Sequence, residues 1–540
     1  MINSRLEVKV IMYAIDLFCG AGGFSEGILQ AGFHIVYSSD KSPYVKETYT
    51  NRHKQLGLEE GINTHFELAD IRELNAKSIL EDINKLEIFK TKKIKLGRGD
   101  IDAIFGGPPC QGFSIAGKRD KSDPRNMLFR EYLRVIKEVN PKYVVMENVE
   151  GFLSMELNPE FKSFKNDYCY QNNVLVNEVV VQELTYMGYK VLPPQRLDAS
   201  NYGVPQKRNR VIVLAYRNDV APLEYPAPTT FYAKQTVKDA LSGVTLECES
   251  EFAKQSKIGR TPHFVTKKPI PNVEMKNMEE SSHQTFIQER FSLFKQGESV
   301  VMLKNRVLKS RGTKDAVNLS LYPALLRESL FNINEEANVK ILTDYFNRKY
   351  EDIKLTYIKS VYRRIKKYWS LERETLRAEL CKPYTNGPKW DDKDIEWFFC
   401  EALGMMNSHV TETKLIKWFL DDEYKLAGFD TDQILNYVLT NKNTRKRLKL
   451  DETGPTMVTL PDDYIHPVLN KVLTVREMAR IQSFDDSFIF LGKRTTGGSG
   501  RKHEVPQFSQ VGNAVPPLLA YAIANEVKKS LNLINQEIKV

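Results

Sequence analysis

A chain of 540 residues has room for two to four domains at about 150 residues each, which excludes a small disulfide-stapled scaffold. With 41% hydrophobic and 27% charged residues the composition is that of an ordinary folded protein, so wholesale disorder is excluded as well. Lys and Arg number 78 against 69 Asp and Glu, and the resulting net charge of +9 permits a polyanionic partner without requiring one. The six cysteines (Cys19, Cys110, Cys169, Cys248, Cys381, Cys400) include no CxxC pair. That scatter argues against a disulfide framework or a cysteine zinc site, predicts no metal, and fits a reducing cytoplasm. No apolar run approaches the roughly 18 residues of a membrane span, and Met1 to Tyr13 carries Arg5, Glu7 and Lys9, so neither a signal peptide nor a membrane partner is expected.

The first element is an apolar run from Val10 to Phe18 that ends in Asp16-Leu17-Phe18-Cys19-Gly20-Ala21-Gly22-Gly23, followed by a helical pattern from Phe24 to Gln30. The alternation continues. Strands are predicted at His34–Asp40, His65–Asp70, Ile101–Gly106 and Tyr143–Glu147, and helices at Pro43–Asn51, Ala76–Leu86 and Asn126–Val139. A helix between Val174 and Met187 and strands at Tyr189–Leu192 and Arg210–Tyr216 extend the series. Alternation of this kind predicts an α/β fold with a parallel sheet covered by helices on both faces. Beyond about Leu241 helical periods dominate, as in Ile353–Leu380, and Trp369, Trp390, Trp397 and Trp418 all fall here, which suggests a separately packed, largely helical second domain. Val475–Ile481 is again helical, and Pro516-Pro517 opens a last helix to about Leu533. The expected division is 1–245, 246–465 and 466–540, with Thr495–Arg501 the expected flexible loop.

Candidate chemistry collects at strand ends. A glycine turn after a first strand lets the backbone approach a ligand and aims helix N-terminal amides at it. Asp40 and Asp70 end the next two strands, the first at about the spacing that meets ribose hydroxyls, so a dinucleotide or another nucleoside-like cofactor would fit equally well; tight turns and helix caps are the plainer explanation. The fourth strand runs into Pro108-Pro109-Cys110-Gln111-Gly112-Phe113-Ser114, which would hold a thiol at the sheet's carboxyl edge. Glu147 ends the fifth strand, where burial would favour its protonated form, and Gln206-Lys207-Arg208-Asn209-Arg210 would add cations to the same edge.

These segments, together with Glu147-Asn148-Val149, Arg476-Glu477-Met478-Ala479-Arg480-Ile481-Gln482-Ser483-Phe484 and Gln510-Val511-Gly512-Asn513-Ala514-Val515-Pro516-Pro517, closely resemble the DNA cytosine-5 methyltransferase family. The motifs stand in the family's order and cover roughly the first 220 and the last 70 residues; the intervening stretch occupies the place of the family's target recognition domain. The resemblance implies a Rossmann-like S-adenosylmethionine-dependent methyltransferase fold with that domain inserted before the C-terminal motifs. It further implies S-adenosyl-L-methionine lined by Phe18, Gly20, Gly22, Gly23 and Pro109, Asp40 on the ribose, Asp70 and Ile71 near the adenine, and Asn513 closing the methionine side. Asp40 stands where the family more often has glutamate, and Lys41 where it more often has an aromatic or apolar residue.

The implied chemistry is addition of the Cys110 thiolate to cytosine C6, which lets C5 attack the donor methyl. Glu147 would bind N3 and the exocyclic amine, Asn148 would orient its loop, Arg210 with Arg208 beside it would meet O2 and the sugar-phosphate, and Gln111 and Ser114 would attend the flipped base. The implied partner is double-stranded DNA, with the protein a monomer in the cytoplasm at the nucleoid, serving a prokaryotic restriction or related defence system. Rivals are a tRNA cytosine-5 methyltransferase of the same architecture, a catalytically silent DNA-binding relative, and a nicotinamide dehydrogenase, which the glycine turn alone would allow. Runs such as Lys442, Arg445, Lys446, Arg447 and Lys449, or Arg363, Arg364, Lys366 and Lys367 beside Tyr362, Tyr368 and Trp369, suit phosphates, although a solvated helix face is the plainer reading of each.

Overall fold

The computed structural model describes residues 11–109, 127–157, 160–165, 168–171, 173–271, 274–369, 371–384, 387–496, 500 and 504–537. The chain forms two compact units: residues 1–280, 449–461 and 473–540 make the first, and 281–448 with 462–472 the second.

The first unit is built on β1 (Tyr13–Leu17), α1 (Gly23–Gln30), β2 (His34–Asp40), α2 (Pro43–Gln55), β3 (His65–Leu68), α3 (Ala76–Lys85), α4 (Glu87–Lys92), β4 (Ala103–Gly106), α5 (Leu128–Val139) and β5 (Tyr143–Asn148). It continues with α6 (Val176–Tyr186), β6 (Tyr189–Val191), β7 (Gln195–Asp198) and β8 (Asn209–Arg217), and after the insertion with α7 (Val475–Ile481), α8 (Gln507–Asn513) and α9 (Pro517–Glu537). The eight strands lie in the order β3-β2-β1-β4-β5-β8-β6, with β7 also paired to β8. β1 to β5 pair in parallel. β8 runs antiparallel to β5, β6 and β7, so the expected parallel sheet carries an antiparallel edge. The reason is the connection: β7 and β8 are joined by residues 199–208, too few for the helical crossover that parallel neighbours need.

Two apolar cores cover the two faces of this sheet. One joins Ile15, Ile104, Val144, Val211 and Val213 to Leu133 and Ile136 of α5 and Val179 and Val180 of α6. The other joins Ala14, Ile35, Phe105, Val145 and Leu214 to Phe24 and Ile28 of α1 and Leu519, Ile523 and Val527 of α9. The C-terminal helix therefore completes the core begun by the first strand. α1 and α9 meet at Gly27, where a Cβ would lie 2.3 Å from the Tyr521 nitrogen and 2.4 Å from Ala520 Cβ. Only glycine permits that approach.

The second unit is largely helical. The helical periods of Ile353–Leu380 form two helices, Leu355–Tyr368 and Arg373–Leu380. One core gathers Leu303, Leu326, Leu415, Trp418 and Leu435, and another gathers Phe331, Phe346, Tyr357, Tyr362, Trp390 and Phe398 with Trp369 and Trp397 against it. Among the described residues no helix is long and apolar enough to cross a membrane.

Candidate active site

β1 ends in a backbone reversal in which Phe18, Gly20 and Gly22 adopt φ of 58°, 54° and 101° before α1 begins. A Cβ at Gly20 would meet nothing within 4 Å, so the backbone there faces open space. Gly23 is buried for a different reason: a Cβ would sit 2.5 Å from the Val515 carbonyl oxygen and 2.9 Å from Ala514 Cβ. Gly23 lets α1 seat against the residues that follow Asn513, whose own side chain is exposed.

Two carboxyls frame the turn. Asp40, at the end of β2, accepts from the Gly20 amide at 3.1 Å and the Ser42 amide at 2.8 Å, and burial pushes its pKa up. Asp16 is fully buried, accepts from the Ser25 hydroxyl, and is pushed up to about 7 by burial, with Asp40 adding to the rise. Its Oδ1 has no hydrogen-bond partner among the described residues. Asp70 caps the turn Ile71–Glu73 through the Arg72 amide and grips the Arg72 guanidinium at 2.9 and 2.8 Å, which holds its carboxyl down at about 2. The Ile71 side chain is buried in the core beneath the sheet.

On the same carboxyl edge Glu147 and Arg210 form an ion pair, Nε to Oε1 at 2.6 Å, with both side chains largely buried. The pair is set by register: Glu147 of β5 lies opposite Ile212, and β8 brings Arg210 back to the same edge two residues earlier. Gly107 makes room for it, since a Cβ would approach Glu147 Oε2 to 2.9 Å. Asn148 donates to the Pro108 carbonyl at 3.3 Å and accepts from the Val149 amide at 2.9 Å, tying the end of β5 to the segment Gly107-Pro108-Pro109. That segment, with Pro109 half-buried, leads into Cys110; Cys110, Gln111 and Ser114 lie outside the described residues.

A family model of C-5 cytosine-specific DNA methylases matches residues 12–529. The chain belongs to this family. Type II methyltransferase M.DdeI of Desulfomicrobium norvegicum is 28% identical over 528 residues, covering 97% of this chain and 91% of that protein. Type II methyltransferase M.AgeI of Thalassovita gelatinovora is 27% identical over 537 residues, covering 96% and 100%. A crystal structure from E. coli described as a prophage-encoded DNA modification methyltransferase aligns with a TM-score of 0.51 at 18% identity over 96% of this chain and 99% of that one, a likeness of fold. The sheet is thus that of a Rossmann-like methyltransferase, and the chain a DNA cytosine methyltransferase acting at C5.

Several arginines of this methylase's motifs turn out to be buried braces. Arg208, expected beside Arg210 at the base, is 2% exposed and donates to the carbonyls of Met457 at 3.0 Å and Gly512 at 2.9 Å. Gln206 donates to Gln482 at 2.8 Å and accepts from the Met457 amide at 2.6 Å, and Gln482 donates to the Val511 carbonyl at 2.8 Å. Three distant motifs are thereby locked together. Arg476 donates to the Lys276 and Asp485 carbonyls at 3.1 Å each, and burial holds its pKa down at about 10. Arg480 pairs with Asp486 and donates to the Ala240 and Ser242 carbonyls. Sequence spacing named none of these roles.

The basic runs of the second unit are also largely engaged. Arg447 is 4% exposed and donates to the His466, Leu469 and Phe291 carbonyls, Lys442 pairs with Asp462 and Asp463, and Arg364 donates to the Lys382 and Pro383 carbonyls over the Tyr384 ring. Arg363 and Lys367 remain exposed.

Proposed function

We propose that the protein transfers a methyl group from S-adenosyl-L-methionine to C5 of a cytosine flipped out of double-stranded DNA, as the modification methylase of a restriction-modification system. The observation that carries this reading is the Glu147–Arg210 pair, held on the edge that also presents the open glycine turn and the Pro108-Pro109 approach to Cys110. The Type II methyltransferase relatives supply the biological setting.

The cofactor fits the residues present: the uncovered backbone at Gly20 leaves space, and Asp40 and the orphaned oxygen of Asp16 offer acceptors for its hydroxyl and ammonium groups. Phe18, Gly20, Gly22, Gly23 and Pro109 would line it, with Asp70 and Ile71 on the adenine side and Asn513 on the methionine side. When bound it supplies an electrophilic methyl on a sulfonium. Cys110, as thiolate, adds to C6 and makes C5 nucleophilic; Glu147 hydrogen-bonds N3 and the exocyclic amine, holding the charge that builds in the ring; Arg210 meets O2. After C5 is methylated, a base removes the C5 proton, and the electron pair of that bond re-forms the C5–C6 double bond as the C6–sulfur bond breaks and the Cys110 thiolate leaves. Asn148 holds the loop in register, and Gln111 and Ser114 attend the vacated stack. The inserted residues 246–465, which contain most of the compact second unit (281–448 with 462–472), choose the sequence.

The test is methylation with tritiated S-adenosylmethionine. DNA cytosine becomes labelled, Cys110→Ala abolishes labelling while retaining cofactor binding, and DNA carrying 5-fluorocytosine at the target traps a covalent complex. Label in tRNA and none in DNA overturns the assignment.

A further inference from the structure

The segment that follows the first unit's last strand ends in a feature with no use inside the fold. Phe231 is 58% exposed and Tyr232 97% exposed, and the rings stand edge to face with centroids 5.2 Å apart. Large aromatic rings this open forfeit their burial, which singles them out as contact groups on a surface.

Their position is fixed from both sides. The Thr229 and Thr230 amides donate to the Asn201 carbonyl at 2.9 and 3.0 Å, Thr230 Oγ1 donates to the Ser200 carbonyl at 2.9 Å, and the Gly203 amide donates to that same hydroxyl at 2.9 Å. Beyond the rings, Lys234 Nζ donates to Ser200 Oγ at 2.9 Å, Thr453 Oγ1 donates to the Gln235 carbonyl at 3.0 Å, and Thr236 caps the helix Val237–Leu241. The tip projects from an anchored base. That base is the stretch just past Asp198, which pairs with Asn209 at the β8 end where Asn148 pairs with Val211, so the rings rise from the edge that holds Glu147 and Arg210. Lys207 on this edge is exposed, with its backbone pinned by Gly454 at 2.7 Å and Thr456 at 2.8 Å.

We infer that Phe231 and Tyr232 form an aromatic hook by which the catalytic unit itself grips the substrate DNA strand beside the target cytosine, the rings stacking on an unstacked base or its sugar while Lys207 meets a phosphate. The inference rests on the proposed DNA methylation. Continuity with the catalytic edge selects the occupant, since the strand must pass this edge to deliver a flipped base, and an aromatic pair beside a fixed lysine is the chemistry that holds a strand without reading its sequence.

The test uses the full chain. Phe231→Ala with Tyr232→Ala raises both the Kd for a target duplex, measured by anisotropy with S-adenosylhomocysteine bound, and the KM for DNA about tenfold. It leaves kcat and cofactor affinity within about twofold and the melting temperature unchanged, because exposed rings brace nothing. Phe231→Tyr with Tyr232→Phe retains the parent affinity, and Lys207→Met lowers the slope of log Kd against log salt by about one. A double-alanine enzyme that methylates with the parent's KM and Kd overturns the hook, as does a loss of affinity explained by a fall in melting temperature. A parent that labels no DNA overturns the methylation reading instead.

Discussion

Arg208 and Arg210 are two residues apart in one basic run, yet the structure assigns them opposite duties, and the pair of alanine variants separates them. Arg208→Ala removes at least two hydrogen bonds from a cationic donor to the buried carbonyls of Met457 and Gly512. At about 1.5–3 kcal/mol for each such bond the gross loss is ~3–6 kcal/mol. Relief of the desolvation of a buried guanidinium offsets part of it, leaving a net destabilisation of about 2–4 kcal/mol. The first unit spans roughly 360 residues, and an unfolding entropy of about 2.1 cal/mol/K per residue converts this to a fall in melting temperature of about 3–5 °C. Because Gly512 adjoins Asn513, cofactor affinity falls with it. Arg210→Ala removes the partner of the Glu147 carboxylate at the site edge and abolishes methylation. Calorimetry, cofactor titration and methyl transfer on the two purified variants decide the matter. An Arg208→Ala enzyme with parental melting temperature and cofactor affinity refutes the brace.

Glu147→Gln keeps the fold and the shape of the side chain but loses the charge that pairs with Arg210 and supports addition; kcat falls at least about a hundredfold with cofactor affinity unchanged, and a smaller fall would remove Glu147 from the chemistry. Gly27→Ala lowers the melting temperature although alanine is the better helix former by about 1 kcal/mol, because the crowding at Ala520 and Tyr521 costs about 1–3 kcal/mol; Gly404→Ala, an exposed helical site with nothing within 4 Å, raises stability. His65, held between Glu60 at 2.6 Å and Glu67 at 2.9 Å, is raised to about 9, so its folded pKa exceeds the unfolded value near 6.5. Its stabilising effect is complete below pH 6.5 and lost by pH 9, about 1–2 kcal/mol after screening at these partly exposed carboxylates, and denaturant titrations of His65→Gln show that slope missing.

The order of β1 to β5 was legible because strands buried on both faces read as uninterrupted apolar runs, and the glycine turn after β1 announced itself through residues with few other uses. The direction of β8 was not. Val211–Tyr216 has the same apolar composition in either direction, and only the short link from β7, whose Gln195-Arg196-Leu197-Asp198 sequence carries no apolar run, turns it antiparallel. The Ile353–Leu380 pattern hid a break for a related reason: the apolar period continues on both sides of it while the backbone restarts at Arg373.

The site divides along the same line. Residue type and strand end sufficed for Asp40 and Glu147, because a parallel sheet delivers its strand ends together; Arg210 stands at the start of β8 and reaches that edge because β8 runs antiparallel. What decides between chemistry and bracing is burial, and burial is a property of the elements that arrive later. Arg476 and Arg480 are 0% and 1% exposed in a helix whose residues Val475–Ile481 are all buried, so their charges are spent on the carbonyls of Lys276, Asp485, Ala240 and Ser242 and on Asp486. A chain interrupted by an insertion of nearly two hundred residues must rejoin its first half, and carbonyls left over at the seam need strong, forked donors. Buried arginines and glutamines meet that need along Gln206, Arg208, Arg476, Arg480 and Gln482. Within the basic run Gln206–Arg210, Gln206 and Arg208 therefore close the catalytic unit on itself, while Arg210, paired with Glu147, and the exposed Lys207 are the cations left at the site edge.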